Sequence, residues 1–476
     1  MKNVSWQFPL CGILVTAAAC GGSPEALDID PLEDLEPQTA DQDDAASLAT
    51  PAGYTITRVT GTGDAAPGGG EVNGPFYADE INKYGDVIYS TWLTTGGSGF
   101  FRTSDGAVEL LARPGGDAPG GALFGSQHSW HSGGLNQSGG ATFSFNVAGI
   151  PAGGPMGSNV GVFRSDEEGT QTAIVLPNTT VAPGGQPFRG ALMRANMNKR
   201  ASVAFTGMIE TSEGIHLPGQ PYAGLGLGVF VADRDDVIQS VVSPGDPAPG
   251  GGTFDIAQNG YINDRGDVAF GAHVAGEDCR DFGVSQSVRI FCAESLYLRR
   301  GSQTISIAHQ DDPAPGGGTF RLAFGPVLNK HGDVLFIGDV TAAPGIFTDL
   351  GVFLHRGGQT VAVALPGDAM PGGGHLVAAP RYVTGYDLSD NGQAVFSARL
   401  DTDEDGDGAA DTGVYAWKQG HLHLVARTGT QIAGLGTVRS VANSLGYGMA
   451  SNNAGQVAIP VKLADGSSAL VVATPE

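Results

Sequence analysis

"GDPAPGGGTFDIAQNGYINDRGDVAF", Gly245 to Phe270, returns as "DDPAPGGGTFRLAFGPVLNKHGDVLF", Asp311 to Phe336, an offset of 66 residues from Pro249 to Pro315. Its second half, Asn-x-x-Gly-x-x-x-Phe, occurs seven times in full or varied form. The copies begin at Asn82, Asn136, Asn198, Asn263, Asn329, Ser389 and Asn452, spaced by 54, 62, 65, 66, 60 and 63 residues. Asn bonds its own backbone two residues on and Gly supplies a positive φ, so each copy reads as strand, tight turn and returning strand. In the third copy Ala201 stands at the Gly position and must accept strain or use another turn. In the sixth, Ser389 imitates the Asn bond weakly.

Around each turn two further strands recur. A "GVF" strand appears at Gly99–Phe101, Gly161–Phe163, Gly228–Phe230, Gly351–Phe353 and Gly413–Tyr415, with Ser295–Tyr297 and Ala469–Val471 in the same slot. A strand such as "TVAVAL" then leads into the "APGGG" loop at Pro67, Pro119, Pro183, Pro249, Pro315 and Pro371, decayed to "AGLG" at Ala433. Few segments carry a 3.6-residue apolar period, whereas short Val-, Phe-, Ile- and Thr-rich runs fenced by Gly, Asn and Asp are frequent. The expectation is an all-β fold: a β-propeller of seven four-stranded blades, each about 60 residues. The chain opens the repeat region with a lone fourth strand, "YTITRVTG", and ends with a third, "SSALVVATPE". Residues 54–60 are therefore expected to complete the last sheet beside 467–473, closing the ring and removing an open edge. No unit buries its core alone, which is why the phrase repeats.

Three segments divide the chain: 1–19, 20–50 and the propeller domain 51–476. The start, "MKNVSWQFPLCGILVTAAACGGS", has a basic residue, a short apolar stretch and small residues before Cys20, the form of a secretory signal. "AAAC" resembles the lipobox of bacterial lipoproteins, although Ala17 departs from the usual Leu. The resemblance implies lipidation of Cys20, and Gly21 implies sorting to the outer membrane. Residues 21–50 carry nine acidic side chains, no Lys or Arg and no aromatic, a composition expected to remain an extended tether. Cys279 and Cys292, left in an exported chain after Cys11 and Cys20, are expected to form a disulfide.

The repeat as a whole resembles the NxxGxxAF tandem repeat of bacterial surface proteins, over roughly residues 54–476. That family combines a constant repeat with varied anchors. It implies location and architecture, and no activity is carried over with it.

Net charge is −24, from 25 basic and 49 acidic residues, which disfavours nucleic acid as a partner and leaves cations and glycans open. "LDTDEDGDGAADTGVY" reads as an EF-hand-like calcium loop: Asp403, Asp405, Asp407 and Asp411 stand at positions 1, 3, 5 and 9, Gly408 at the sharp turn, and Ala409 offers its carbonyl. Val414 replaces the bidentate Glu, so Ca2+ binding would be weak and structural; a second frame starts at Asp401. His128 and His131 fall on opposite strand faces, and His421 and His423 read as an exposed stripe on an outer strand. The APGGG loops lack the Lys and following helix of a phosphate cradle, and turn geometry accounts for them.

In a propeller the APGGG loops and the longest insertions share one end, the usual place for binding on a rigid ring. Two readings of function follow. One is a monomeric, lipid-anchored module at the outer membrane or cell surface, binding or scaffolding an envelope protein or glycan. The other is an extracellular hydrolase or lyase acting on polysaccharide, with carboxylates such as Glu210, Glu213, Asp278 or Asp401.

Overall fold

In the computed structural model each Asn-x-x-Gly turn joins two antiparallel strands, as Phe254–Ile262 to Val268–Val274 and Leu322–Leu328 to Val334–Asp339. The structure describes residues 53–125, 133–149, 159–215, 225–277, 295–340, 350–378, 385–441 and 448–476. The expected signal and acidic tether, with Cys20, and His128, His131, Asp278, Cys279 and Cys292 lie outside the described residues.

The described residues are all-β, and small sheets of antiparallel meanders form a β-propeller-like arrangement. A typical sheet runs Val72–Ile81, Val87–Leu93, Ser98–Ser104, Ala107–Ala112 in spatial as in chain order. The eight-stranded sheet is two such meanders, Gly190–Met197 to Ile238–Val242 and Phe254–Ile262 to Gln303–Ala308, joined by one parallel pair, Leu227 with Ile256. The strand Tyr54–Gly61 pairs antiparallel with Ser468–Pro475, from Tyr54 opposite Pro475 to Gly61 opposite Ala469. The N-terminal strand thus finishes the sheet that the C-terminus begins.

Three aromatic positions build the interior of most sheets. Phe320, from the strand entry after APGGG, meets the ring of Phe353 edge-on at 5.0 Å, and Phe353 stacks on Phe336 at 5.6 Å. Phe188, Phe205 and Phe230 repeat the arrangement, as do Phe254, Phe270 and Tyr297. Edge-on and offset-stacked rings suit the aromatic quadrupole and add to what burial alone contributes. The Gly of "GVF" makes room for them: a Cβ on Gly351 would sit 2.8 Å from Leu365 and 3.0 Å from Phe353.

The Asn turn is as expected, and its detail explains its repetition. Asn263 Oδ1 accepts the N–H groups of Arg265 and Asp267, both at 2.9 Å. Asn82, Asn136, Asn198, Asn329 and Asn452 do the same for the residues two and four further on. Ala201 keeps the turn and takes φ = 60°, accepting the strain. The sixth copy differs from expectation. Asn391, not Ser389, accepts the N–H of Gln393, and Ser389 donates to Asn391 Oδ1 at 2.8 Å.

Candidate functional site

Successive motif asparagines are also bonded to one another. Asn198 Nδ2 donates to Asn263 O at 3.0 Å, and Asn263 Nδ2 to Asn329 O at 3.0 Å. Asn452 Nδ2 donates to Asn82 O at 2.8 Å, so the last copy of the motif meets the first. Between other copies the next residue substitutes: Lys83 N–H donates to Gln137 Oε1 at 2.9 Å and Lys330 N–H to Asp390 Oδ1 at 2.7 Å. These bonds lie at the turn end of the inner strands. Beside them a cavity of about 90 Å³ is lined from every copy of the motif, by residues including Glu80, Gln137, Asn196, Tyr261, Asp390 and Asn453. At roughly 10–15 Å³ of such volume per water, it has room for a small water cluster.

Inner-strand edges facing a channel expose backbone N–H groups that need partners. Polar side chains two residues before the motif position supply them. Asn196 Oδ1 accepts Ile262 N–H at 2.9 Å, and Asp387 Oδ2 accepts Ser451 N–H at 2.6 Å and its hydroxyl at 3.0 Å. Glu80 and Tyr261 occupy the equivalent place, and the Arg194 guanidinium lies 4.9 Å over the Tyr261 ring. Asp79, next to Glu80, accepts the N–H of Gly133. Burial pushes the carboxyls of Asp79 and Glu80 well above the usual range, and that of Asp387 above it. Arg194 pulls all three the other way, and the charge of Asp387 raises Glu80 further. None of these residues stood out in the sequence as chemistry. The signal was available: aligned on the motif, Glu80 and Asp387 are acids where other copies have Gly134, Val327 or Ala450.

The opposite end carries the APGGG loops and the insertions between second and third strands. Asp401 N–H bonds His375 O at 3.1 Å, and Ala275 N–H bonds Thr253 O at 2.8 Å, each tying an insertion to the loop of its own sheet. Here the acidic segment folds back on itself. Asp403, Asp405 and Asp407 bring carboxylate oxygens within 4.8 Å of one another, all three exposed. Asp403 Oδ2 accepts Gly408 N–H at 3.0 Å and Asp407 Oδ1 accepts Ala409 N–H at 2.8 Å. Partial burial, with the charges of Asp407, Asp411 and Asp403, raises the Asp405 carboxyl. The hydrogen bond from Arg439, at 2.8 Å to Asp407 Oδ2, lowers that of Asp407.

Asp411 is not gathered with the other three. It is 2% exposed, and its Oδ2 accepts from Thr402 Oγ1 at 2.6 Å, Glu404 N–H at 3.1 Å and Arg427 Nη2 at 3.2 Å. The Arg427 side chain is fully buried, and it also bonds the carbonyl of Gly372 in the APGGG loop and, at 2.8 Å, Glu404. Asp411 therefore serves an internal ion network beneath the loop.

The other named carboxylates are dispersed. Glu210 is held by Arg189, and Asp401 by His375 at 2.9 Å, where hydrogen bonds from the His375 backbone and ring lower its carboxyl. Glu213 falls in the strand Val203–Ile215. His421 and His423 both lie exposed on the outer strand His421–Arg427.

Residues 35–476 match the family model described as a family of unknown function, DUF7453, and the chain belongs to that family. No curated protein sequence matches it. Among solved structures it is similar to an oligogalacturonate lyase from Vibrio parahaemolyticus, at 8% identity and a TM-score of 0.46, over 89% of this chain and 97% of that one. It is also similar to a puromycin-hydrolyzing peptidase from Mycobacterium tuberculosis, at 13% identity and a TM-score of 0.45, over 90% of this chain and 55% of the other. TolB from Acinetobacter baumannii gives 11% identity and a TM-score of 0.34, over 84% and 78%. The chain spans about half the length of the peptidase.

Proposed function

We propose that this DUF7453 chain is a lipid-anchored, seven-bladed β-propeller of the bacterial envelope, binding or scaffolding a partner through its loop-bearing end. The blade count follows from assigning one four-stranded meander to each copy of the motif. The eight-stranded sheet then counts as two blades, and the last blade is finished by Tyr54–Gly61. The lipobox-like "AAAC" supports a lipid on Cys20, and the NxxGxxAF-like repeat supports an outer-membrane or cell-surface location.

One observation carries the functional reading. The repeated polar residues are engaged in bonds between units at the turn end, whereas the exposed carboxylates of Asp403, Asp405 and Asp407 are gathered at the loop end on a braced frame. Invariant turns set the ring and variable loops are left for recognition. Asp403, Asp405 and Asp407, with the Ala409 carbonyl, would hold Ca2+ weakly and stiffen the loop. Asp411 would contribute through the Arg427 network beneath it. The partner is an envelope protein or a glycan.

A second reading, a polysaccharide hydrolase or lyase, is favoured by Glu80 and Asp390, which line the turn-end cavity with Tyr261. Against it, Asp387 is engaged by the N–H and hydroxyl of Ser451 and Asp79 by the N–H of Gly133, so these carboxyls already serve the structure. The deciding experiment is capture from envelope and polysaccharide fractions by the full chain, in calcium and then in EDTA. Capture in calcium that is lost in EDTA is expected; capture of nothing in either buffer sinks the binding role.

A further inference from the structure

The motif turns form a belt of hydrogen bonds, and the belt has one gap. Direct bonds join six of the seven successive pairs of turns. They run from Lys83 to Gln137, Asn198 to Asn263, Asn263 to Asn329, Lys330 to Asp390, Asn391 Nδ2 to Asn453 O at 2.9 Å, and Asn452 to Asn82. Between the second turn, at Asn136, and the third, at Asn198, there is no such bond among the described residues. Asn136 spends its Oδ1 on Ser138 and Gly140, while Asn198 sends its amide forward to Asn263.

At that junction one side chain takes over. Arg164 lies on Val160–Ser165, the third strand of the second unit, with a side chain only 12% exposed. Its Nη1 donates to Ala201 O at 3.0 Å and Asp233 O at 3.1 Å. Its Nη2 donates to Arg234 O at 2.9 Å and Asp236 Oδ1 at 2.7 Å. All four acceptors belong to the third unit: Ala201 closes the motif turn, and the others form the turn between Leu225–Ala232 and Ile238–Val242. The planar guanidinium fork can grip both turns at once, and its bonds are charge-assisted.

Arg102 holds the same position in the first unit, one residue after the ring of "GVF". It reaches the carbonyls of Gly139 and Asp166 with one nitrogen and gives its other two to Glu109 of its own sheet. There the bond from Lys83 to Gln137 backs it. In later units the position holds Val231, Leu298, Leu354, Ala416 and Val472, which cannot make such bonds. Arg164 therefore acts alone where the belt is interrupted.

Away from the turns, the second and third units share an apolar core that includes Val162, Val175, Phe188 and Phe205, so they remain joined there. Gln137 lines the turn-end cavity from one side of the gap, Asn198 and Lys199 from the other. We infer that Arg164 is a strap. It holds shut the one unbonded junction of the belt, and on its release the second and third units part at the turn end and open the cavity sideways. The joint of the ring is then here and not at the closure, which keeps the Asn452-to-Asn82 bond and Ala78 N–H to Gly448 O at 3.0 Å. This holds whatever the loop end binds.

The test is amide hydrogen exchange of the full chain. Ser202 and Gln456 donate equivalent N–H groups to their motif asparagines, one beside the gap and one at the closure. Arg164→Met should speed exchange at Ser202 and Val237 by about tenfold or more, since losing even one charge-assisted bond implies that much. Gln456 and Ala78 should be unchanged. Arg164→Lys keeps the charge without the fork and should speed the same amides by a smaller factor. In wild type, low urea should raise exchange at Ser202 ahead of Gln456. Equal acceleration of Ser202 and Gln456 in either variant would overturn the strap, as would no acceleration at Ser202, or Gln456 leading Ser202 in wild type.

Discussion

The side-chain amide of Asn263 lies 3.0 Å from the carbonyl oxygen of Asn329, one full repeat later in the chain. Its oxygen meanwhile closes its own turn. One residue type therefore does two jobs, setting a local reversal and joining neighbouring units.

Replacing Asn263 by Ala removes three bonds within the turn and one between units at a buried site. At about 1 kcal/mol per bond, with partners left unpaired, a loss of about 4 kcal/mol is expected. The urea midpoint measures it. Arg265→Ala, at an exposed position of the same turn, should change it little; equal effects would show that the Asn bonds contribute nothing special.

Gly338 offers a test of the aromatic interior. A Cβ there would stand 2.8 Å from Phe320 and 2.9 Å from Phe353, rings that cannot both move in a filled sheet. Gly338→Ala should destabilise by about 1–3 kcal/mol, the usual range for overpacking. Combining it with Phe320→Leu should recover part of that loss, and strict additivity of the two in thermal unfolding would count against a steric cause.

Arg427 is the buried cation of the loop end. Arg427→Met leaves Asp411 buried without its counter-charge, for which about 3–5 kcal/mol is expected. Arg113, which reaches the carbonyl of Gly68 from a more exposed position, should cost less when replaced by Met. Hydrogen exchange should place the Arg427→Met damage at Gly372, Thr402 and Glu404.

For the acidic loop, calorimetric titration with Ca2+ should show weak uptake that Asp403→Asn together with Asp405→Asn abolishes. Uptake should strengthen as pH rises through the carboxylate range, because Asp405 must give up a proton held by partial burial and its acidic neighbours. Arg439→Gln frees Asp407 Oδ2 and should tighten binding several-fold; weaker binding in that variant would remove Asp407 from the ligand set.

Much of this architecture was legible because repetition acts as its own control. Seven variants of one phrase expose the turn, the strand order and the closing role of Tyr54–Gly61 without any contact being known. What a single repeat cannot show is what one unit does to the next. The Asn198-to-Asn263 bond and the gathering of Glu80 and Tyr261 at one cavity depend on ring geometry that brings distant inner strands together. Asp411 illustrates a related limit. Its spacing fits a calcium loop, and only the fold shows that Arg427, at the end of His421–Arg427, engages its carboxylate. Ser389 was misread because Asn391, two residues later, could take over the turn bond.

The central claim is that the loop end recognises a partner without altering it. The most direct measurement is incubation of the full chain with acidic and neutral envelope polysaccharides, in calcium, followed by sizing of the recovered glycan and assay of new reducing ends. The account predicts retained polymer of unchanged length with no new ends. Shortened polymer, lost when Glu80 and Asp387 are replaced by their amides, would contradict it and make the channel an active site.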